Sequence, residues 1–115
     1  MDKHELAERT KQFALRVMRL AEALPRSRSG TTIAHQIVRS GTSVAANYRA
    51  ALRGRSKAEF IAKIGTVLEE ADETLFWLEM IEAAGLLSAE RLADLRTEAD
   101  ALVRIFNKTR STAKS

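Results

Sequence analysis

The sequence predicts an all-α protein, a single four-helix-bundle domain over residues 1–115, and three observations predict it. First, 45% of the residues are hydrophobic, with 19 Ala and 13 Leu against five Gly and one Pro, which is a helix-forming alphabet. Second, nine Thr, six Ile, five Val and six aromatic residues are too few to build a sandwich or barrel. Third, four apolar series of helical period are separated by short stretches rich in Pro, Gly and Ser. A chain of 115 residues supports one core of ordinary size and no second one.

The first helix is expected over residues 3–24. Its seam is Leu6, Thr10, Phe13, Val17, Leu20 and Leu24, alternating steps of four and three. Pro25 ends it, because proline cannot continue a helix and biases the residue before it away from helical geometry. The connection Pro25-Arg26-Ser27-Arg28-Ser29-Gly30 reads as a basic loop. Thr31 or Thr32 caps a second helix over 32–53, and Gly54 supplies a left-handed stop. Ser40-Gly41-Thr42-Ser43 are poor helix formers, so a kink or a close helix approach is expected there.

Ser56-Lys57-Ala58-Glu59 has the form of a capping box and opens a third helix over 57–84, which Gly85 closes. Ser88 caps the fourth, over 89–108, along Leu92, Leu95, Ala99, Leu102 and Phe106. The tail from Lys108 reads as frayed. Long helices with short connections give an antiparallel up-down-up-down bundle.

The chain has no cysteine, which excludes disulfides, thiolate nucleophiles and cysteine-based metal centres. No apolar run approaches the roughly 20 residues of a membrane span, and Met1–Leu6 lacks the apolar stretch of a signal peptide. A cytoplasmic protein without membrane contact is the expectation. The net charge of +4 is unevenly spread: residues 1–57 carry 12 Lys and Arg against 4 Asp and Glu, and residues 58–115 carry 7 against 11. Such a division points to a polyanion partner or to surfaces that pair with each other.

On a helical wheel the second helix separates into two faces. Arg39, Arg49 and Arg53 fall within about 40° of His35, with Thr42 and Ala46 completing the stripe. Ile33, Ile37, Val44, Tyr48 and Ala51 lie opposite and form the core face. The third helix gathers Ile61, Ile64, Val67, Leu68, Ala71, Leu75 and Leu78 in an arc of about 120°. Across from them lie Glu69, Glu70, Glu73, Phe76, Trp77, Met80 and Ile81. A bundle buries one of these faces, so the other is expected to be a self-association surface with Trp77 as its anchor.

Gln36–Ala51, with its Arg39-Ser40-Gly41-Thr42-Ser43-x-x-x-Asn47-Tyr48-Arg49 string, resembles the core motif of the 23S rRNA intervening-sequence, or four-helix-bundle, protein family. Glu69–Ile81 is similar to that family's second motif, and Phe60–Lys63 and Arg9–Ala14 fit as well. The resemblance covers Leu6 to about Phe106. The chain departs from the family pattern at Val44-Ala45-Ala46, where a glycine is usual. The resemblance implies a left-handed antiparallel bundle that assembles into a ring, typically a homopentamer, in bacterial proteins without established enzymatic activity. It also implies kinship with the accessory proteins of diversity-generating retroelements, which bind nucleic acid and a reverse transcriptase.

Two readings of the arginine stripe, extended by Arg26, Arg28, Arg55 and Lys57, stand side by side. It is a phosphate-binding surface for RNA or DNA, or its members pair with Glu69, Glu70 and Glu73 of the same or a neighbouring subunit. The stripe lacks interleaved aromatics for base stacking, so any nucleic-acid binding is expected to be sequence-independent. The loop set Arg26, Arg28, Arg55 and Lys57 is the better phosphate contact.

Ser40 and Asn47 flank the apolar face and are expected to satisfy buried hydrogen bonds and fix helix register. A catalytic role would need a base or nucleophile, and the only histidines are His4 and His35. Glu69, Glu70, Asp72 and Glu73 do not make a metal site, since bundle di-metal centres use Glu-x-x-His pairs and none occurs. A helix-turn-helix reader is rejected because Ile37 stands four residues before Gly41, where that motif needs a small residue. No enzyme, metal or cofactor is expected. The preferred function is an oligomeric scaffold or adaptor with a basic surface for nucleic acid or a nucleic-acid enzyme; the alternative is a purely structural interaction module.

Overall fold

Each helix begins at a side chain that caps its free N–H groups. In the computed structural model, which describes residues 1–115, α1 spans Lys3–Glu22, α2 Arg28–Leu52, α3 Lys57–Ala83 and α4 Ala89–Lys114. The Asp2 carboxylate accepts from the backbone N–H groups of His4 and Glu5 at 2.9 and 2.8 Å. Ser27, Ser56 and Ser88 do the same for Gly30, Glu59 and Arg91. Glu59 reaches back to the N–H of Arg55 at 2.7 Å, one residue ahead of the Ser56 cap, a variant of the capping box.

Two boundaries differ from the sequence reading by more than two residues. α2 begins at Arg28, with Ser27 rather than Thr31 or Thr32 as its cap. Gly30 permits this, since a β-carbon there would lie 2.0 Å from the Pro25 carbonyl oxygen. α4 continues to Lys114, because the segment after Phe106 holds no Gly or Pro to stop it and Thr109 bonds back to the Ile105 carbonyl at 2.9 Å.

The two glycine stops also differ from one another. Gly85 has φ +70°, and the N–H groups of Leu86 and Gly85 bond to the Ile81 and Glu82 carbonyls, closing α3 with a Schellman motif. Gly54 is not left-handed. α2 instead tightens into i to i−3 bonds from Arg53 and Gly54 to Ala50 and Ala51.

Connections of four or five residues reach at most about 18 Å, less than half the 44 Å length of the bundle. Each helix therefore returns alongside its predecessor. The chain packs α1 on α2, α2 on α3 and α3 on α4; α4 closes on α1, the pair that approaches least closely. Phe13, Ile37, Ile64, Leu78, Ile81 and Phe106 are among the largest side chains sealed in one continuous core, and Tyr48 meets Phe106 edge-on with ring centroids 5.2 Å apart.

α2 runs without interruption through Ser40-Gly41-Thr42-Ser43. A β-carbon at Gly41 would lie 2.8 Å from Val17 Cγ1, so this segment marks a close approach of α1 and α2. Beside it, the Ser40 and Thr74 hydroxyls stand 2.8 Å apart in the core, each within reach of a carbonyl of its own helix.

α3 is turned relative to the wheel reading. Its buried residues are Ile64, Val67, Ala71, Thr74, Leu78 and Ile81, so the core face is centred about 50° away from the predicted arc. Ile61, Leu68 and Leu75 are only partly buried, and Ile81, expected on the outer face, is fully buried. Thr74 makes this possible, since its hydroxyl is satisfied by Ser40 and the Glu70 carbonyl and enters the core without an unpaired polar atom.

Candidate interaction surfaces

The exposed face of α2 carries His35, Arg39 and Arg49, with Arg53 at the C-cap. Of these, Arg39 is engaged within the subunit. It donates to Glu70 at 3.0 Å and to Glu73 of α3, and its Nε donates to Gln36. The hydrogen bond it donates to Glu73 is the largest cause raising the Arg39 guanidinium above its ordinary value. Glu73 also accepts from the Trp77 indole N–H at 3.1 Å. That bond, then the Arg39 guanidinium, holds the Glu73 carboxyl below the usual carboxylate range against the opposing effect of burial.

Pairing within the subunit thus accounts for Arg39, Glu70 and Glu73, and for none of Arg49, Arg53, Arg55, Lys57 or Glu69, which enter no ion pair. The loop set proposed from the sequence is also divided. Arg26 and Arg28 lie at the α1–α2 connection, while Arg55 and Lys57 lie at the α2–α3 connection. The 25 residues of α2 between them span about 37 Å.

The α2–α3 end gathers more cations than the sequence reading assigned to it. The start of α1 with Lys3 and the last turns of α4 with Lys108, Arg110 and Lys114 arrive at the same end as Arg49, Arg53, Arg55 and Lys57. Glu59 and Asp2 are occupied there as capping groups. Up-down topology predicts this convergence, but the reading of residues after 108 as frayed concealed it.

Phe76 is 48% and Met80 39% exposed on the side of α3 opposite the core, with Glu69, Asp72 and Glu79 beside them. Trp77 is half-buried, edge-on to Phe76 with centroids 4.9 Å apart. Ile81 leaves the proposed oligomer interface, because its side chain is sealed in the core. Asn47 donates to the Ser43 carbonyl of its own helix at 2.9 Å, so it braces α2 locally and makes no link to another helix. No helix is long and apolar enough to cross a membrane.

These features define a four-helix-bundle protein whose exposed chemistry is cationic at one end and apolar with carboxylates on one face. The chain belongs to the 23S rRNA-intervening sequence protein family, whose model matches residues 2–108. It is similar to a solved protein of unknown function from the S23 ribosomal protein family of Bacteroides thetaiotaomicron. The two share 29% sequence identity with a TM-score of 0.85, over 90% of this chain and 96% of that one. No curated protein matches the chain.

Proposed function

We propose that the chain is a non-enzymatic, self-associating scaffold or adaptor, working in the cytoplasm, that holds nucleic-acid backbones, RNA or DNA, at the cationic end of the bundle. The observation that carries this reading is the unpaired set Arg49, Arg53, Arg55 and Lys57 at one corner. The family's description names 23S rRNA and the solved neighbour is assigned to a ribosomal protein family, which agrees with a polyanion partner. Without aromatic platforms beside the cations, contact is to phosphate and independent of sequence. Four phosphates neutralised on duplex DNA give a slope of log affinity against log salt of roughly −3 to −4. Self-association through Phe76 and Met80 repeats the corner and raises avidity; a ring of such subunits also suits the docking of a nucleic-acid enzyme.

The test is retention of mixed-sequence RNA and DNA at low salt. Charge reversal at Arg53, Arg55 and Lys57 is expected to abolish retention while leaving the mass in solution unchanged. Retention equal to that of the unaltered protein would overturn the reading. The second reading, a purely structural interaction module, is favoured by Arg39, whose charge is consumed within the subunit; it predicts no retention by either protein.

A further inference from the structure

The seam between α1 and α4 is the loosest of the four, and its two halves differ. In one half Arg9 makes a two-pronged hydrogen bond to Glu98, Nε to Oε2 and Nη2 to Oε1, both 2.7 Å. Two helices running in opposite directions keep level residues at a constant sum of numbers, so this pair sets Arg16 level with Arg91, two turns farther along. There the seam opens into a groove of about 300 Å³ lined by Arg16, Arg19, Leu20, Arg91, Asp94 and Leu95.

None of the three arginines is in an ion pair, and neither is Asp94. Leu20 and Leu95 form an apolar floor, 8% and 5% exposed, beneath the half-buried Arg16 and the exposed Arg19 and Arg91. Asp94 offers one carboxylate for three guanidinium groups. Arg91 also lies in the first turn of α4, where the helix dipole adds positive potential. Like charges facing each other over such a floor repel unless an anion lies between them.

We infer that this groove is a binding site for a phosphate-bearing anion, which bridges Arg16, Arg19 and Arg91 and draws the α1–α4 seam together. Guanidinium forks match phosphate oxygens in geometry and charge. The groove is open to solvent and admits a phosphate group, free or carried on a phosphoester. The site lies at the opposite end of the bundle from the Arg53, Arg55 and Lys57 corner and stands apart from the function proposed there.

The experiment titrates inorganic phosphate into the full chain at constant ionic strength, following backbone amides and arginine Nε–H resonances. Saturable shifts are expected at Arg16, Arg19, Leu20, Arg91 and Leu95, with affinity about tenfold weaker in Arg16→Ala and in Arg91→Ala, the loss of one charge-assisted contact. Phosphate should raise the midpoint of thermal unfolding in the unaltered protein and less in either variant. General salt exclusion would stabilise all three alike, and that result would overturn the site. So would shifts that never saturate, or that centre on Arg53, Arg55 and Lys57. A dinucleotide with a 5′ phosphate, compared with the same dinucleotide lacking it, distinguishes a nucleic-acid end from a free anion: competition by the first alone assigns a terminal phosphate, and competition by neither assigns free phosphate. Reversing charge at Arg53, Arg55 and Lys57 leaves this titration unchanged, so the two sites fail or stand separately.

Discussion

Val17 and Gly41 meet at a close approach of α1 and α2, and a β-carbon on residue 41 would lie 2.8 Å from Val17 Cγ1 and 3.0 Å from Val17 Cβ. Val17 is fully buried and branched at Cβ, so it cannot swing aside. Gly41→Ala gains about 1 kcal/mol of helix propensity and loses roughly 1–3 kcal/mol to overpacking. Net destabilisation of about 1 kcal/mol is expected in urea unfolding. In a Val17→Ala background both γ-carbons are gone and only the 3.0 Å approach to Cβ remains, so the same substitution should cost less. An equal cost in both backgrounds would contradict the contact.

Ser40 and Thr74 form the one polar link between α2 and α3 inside the core. Each hydroxyl keeps a carbonyl of its own helix when the other is removed, so Ser40→Ala and Thr74→Val each cost about 1 kcal/mol rather than the full penalty of an orphaned group. The double variant should cost less than the sum by about 0.5 kcal/mol or more. Additive costs in a double-mutant cycle would mean that the two hydroxyls do not act together.

Ser27 caps α2, although Thr31 and Thr32 are the residues the sequence favours for that role. Ser27→Ala should destabilise the protein by about 1 kcal/mol. Thr31→Ala and Thr32→Ala replace exposed side chains within the helix and should change stability by less than about 0.5 kcal/mol. Thermal unfolding of the three variants decides the boundary.

The bundle was legible in the sequence because apolar period and helix punctuation act locally. The seams of α1, α2 and α4 read from Leu6 to Phe106 are the buried faces of those helices. The rotation of α3 was not legible, because a wheel counts Thr74 as polar and cannot know that Ser40 lies opposite. Gly54 shows the same limit: glycine permits a left-handed stop, but the four-residue connection at 53–56 closes with tighter turns. Of the candidate surface, the pairing of Arg39 was open to view as one of two alternatives. The geometry selects Glu70 and Glu73, which flank Trp77 on the α2 side, and leaves Glu69 on the far side of α3. The cationic end depended on how far α4 continues, which no stop signal marks.

Phe76 and Met80 are exposed and make no hydrogen bond that holds the fold, so replacing them tests self-association without confounding it with folding. Trp77→Ala is a poorer probe, since it also removes the indole bond to Glu73. The double variant Phe76→Ser, Met80→Ser is expected to fold and to fall from an oligomer to the 12.8 kDa monomer by light scattering. An unchanged oligomeric mass would place the contact elsewhere on the bundle.

Glu73 links acid sensitivity to a fluorescent side chain. The Trp77 indole N–H, and then Arg39, depress its carboxyl below the ordinary value of 4.5. A group whose folded value is depressed contributes stability that is present above its unfolded value and is lost as pH falls through the folded one. The contribution is therefore complete at neutral pH and disappears in the acid range below pH 4.5. Because the network is partly exposed, its size should stay under about 1 kcal/mol. Glu73→Gln removes the titrating group, so its stability should fall less than that of the unaltered protein between neutral pH and about pH 3. Trp77 emission should change over the same interval only when Glu73 is present. Identical acid profiles for the two proteins, by urea unfolding and by emission, would show that the Glu73 carboxylate contributes nothing to the α2–α3 contact.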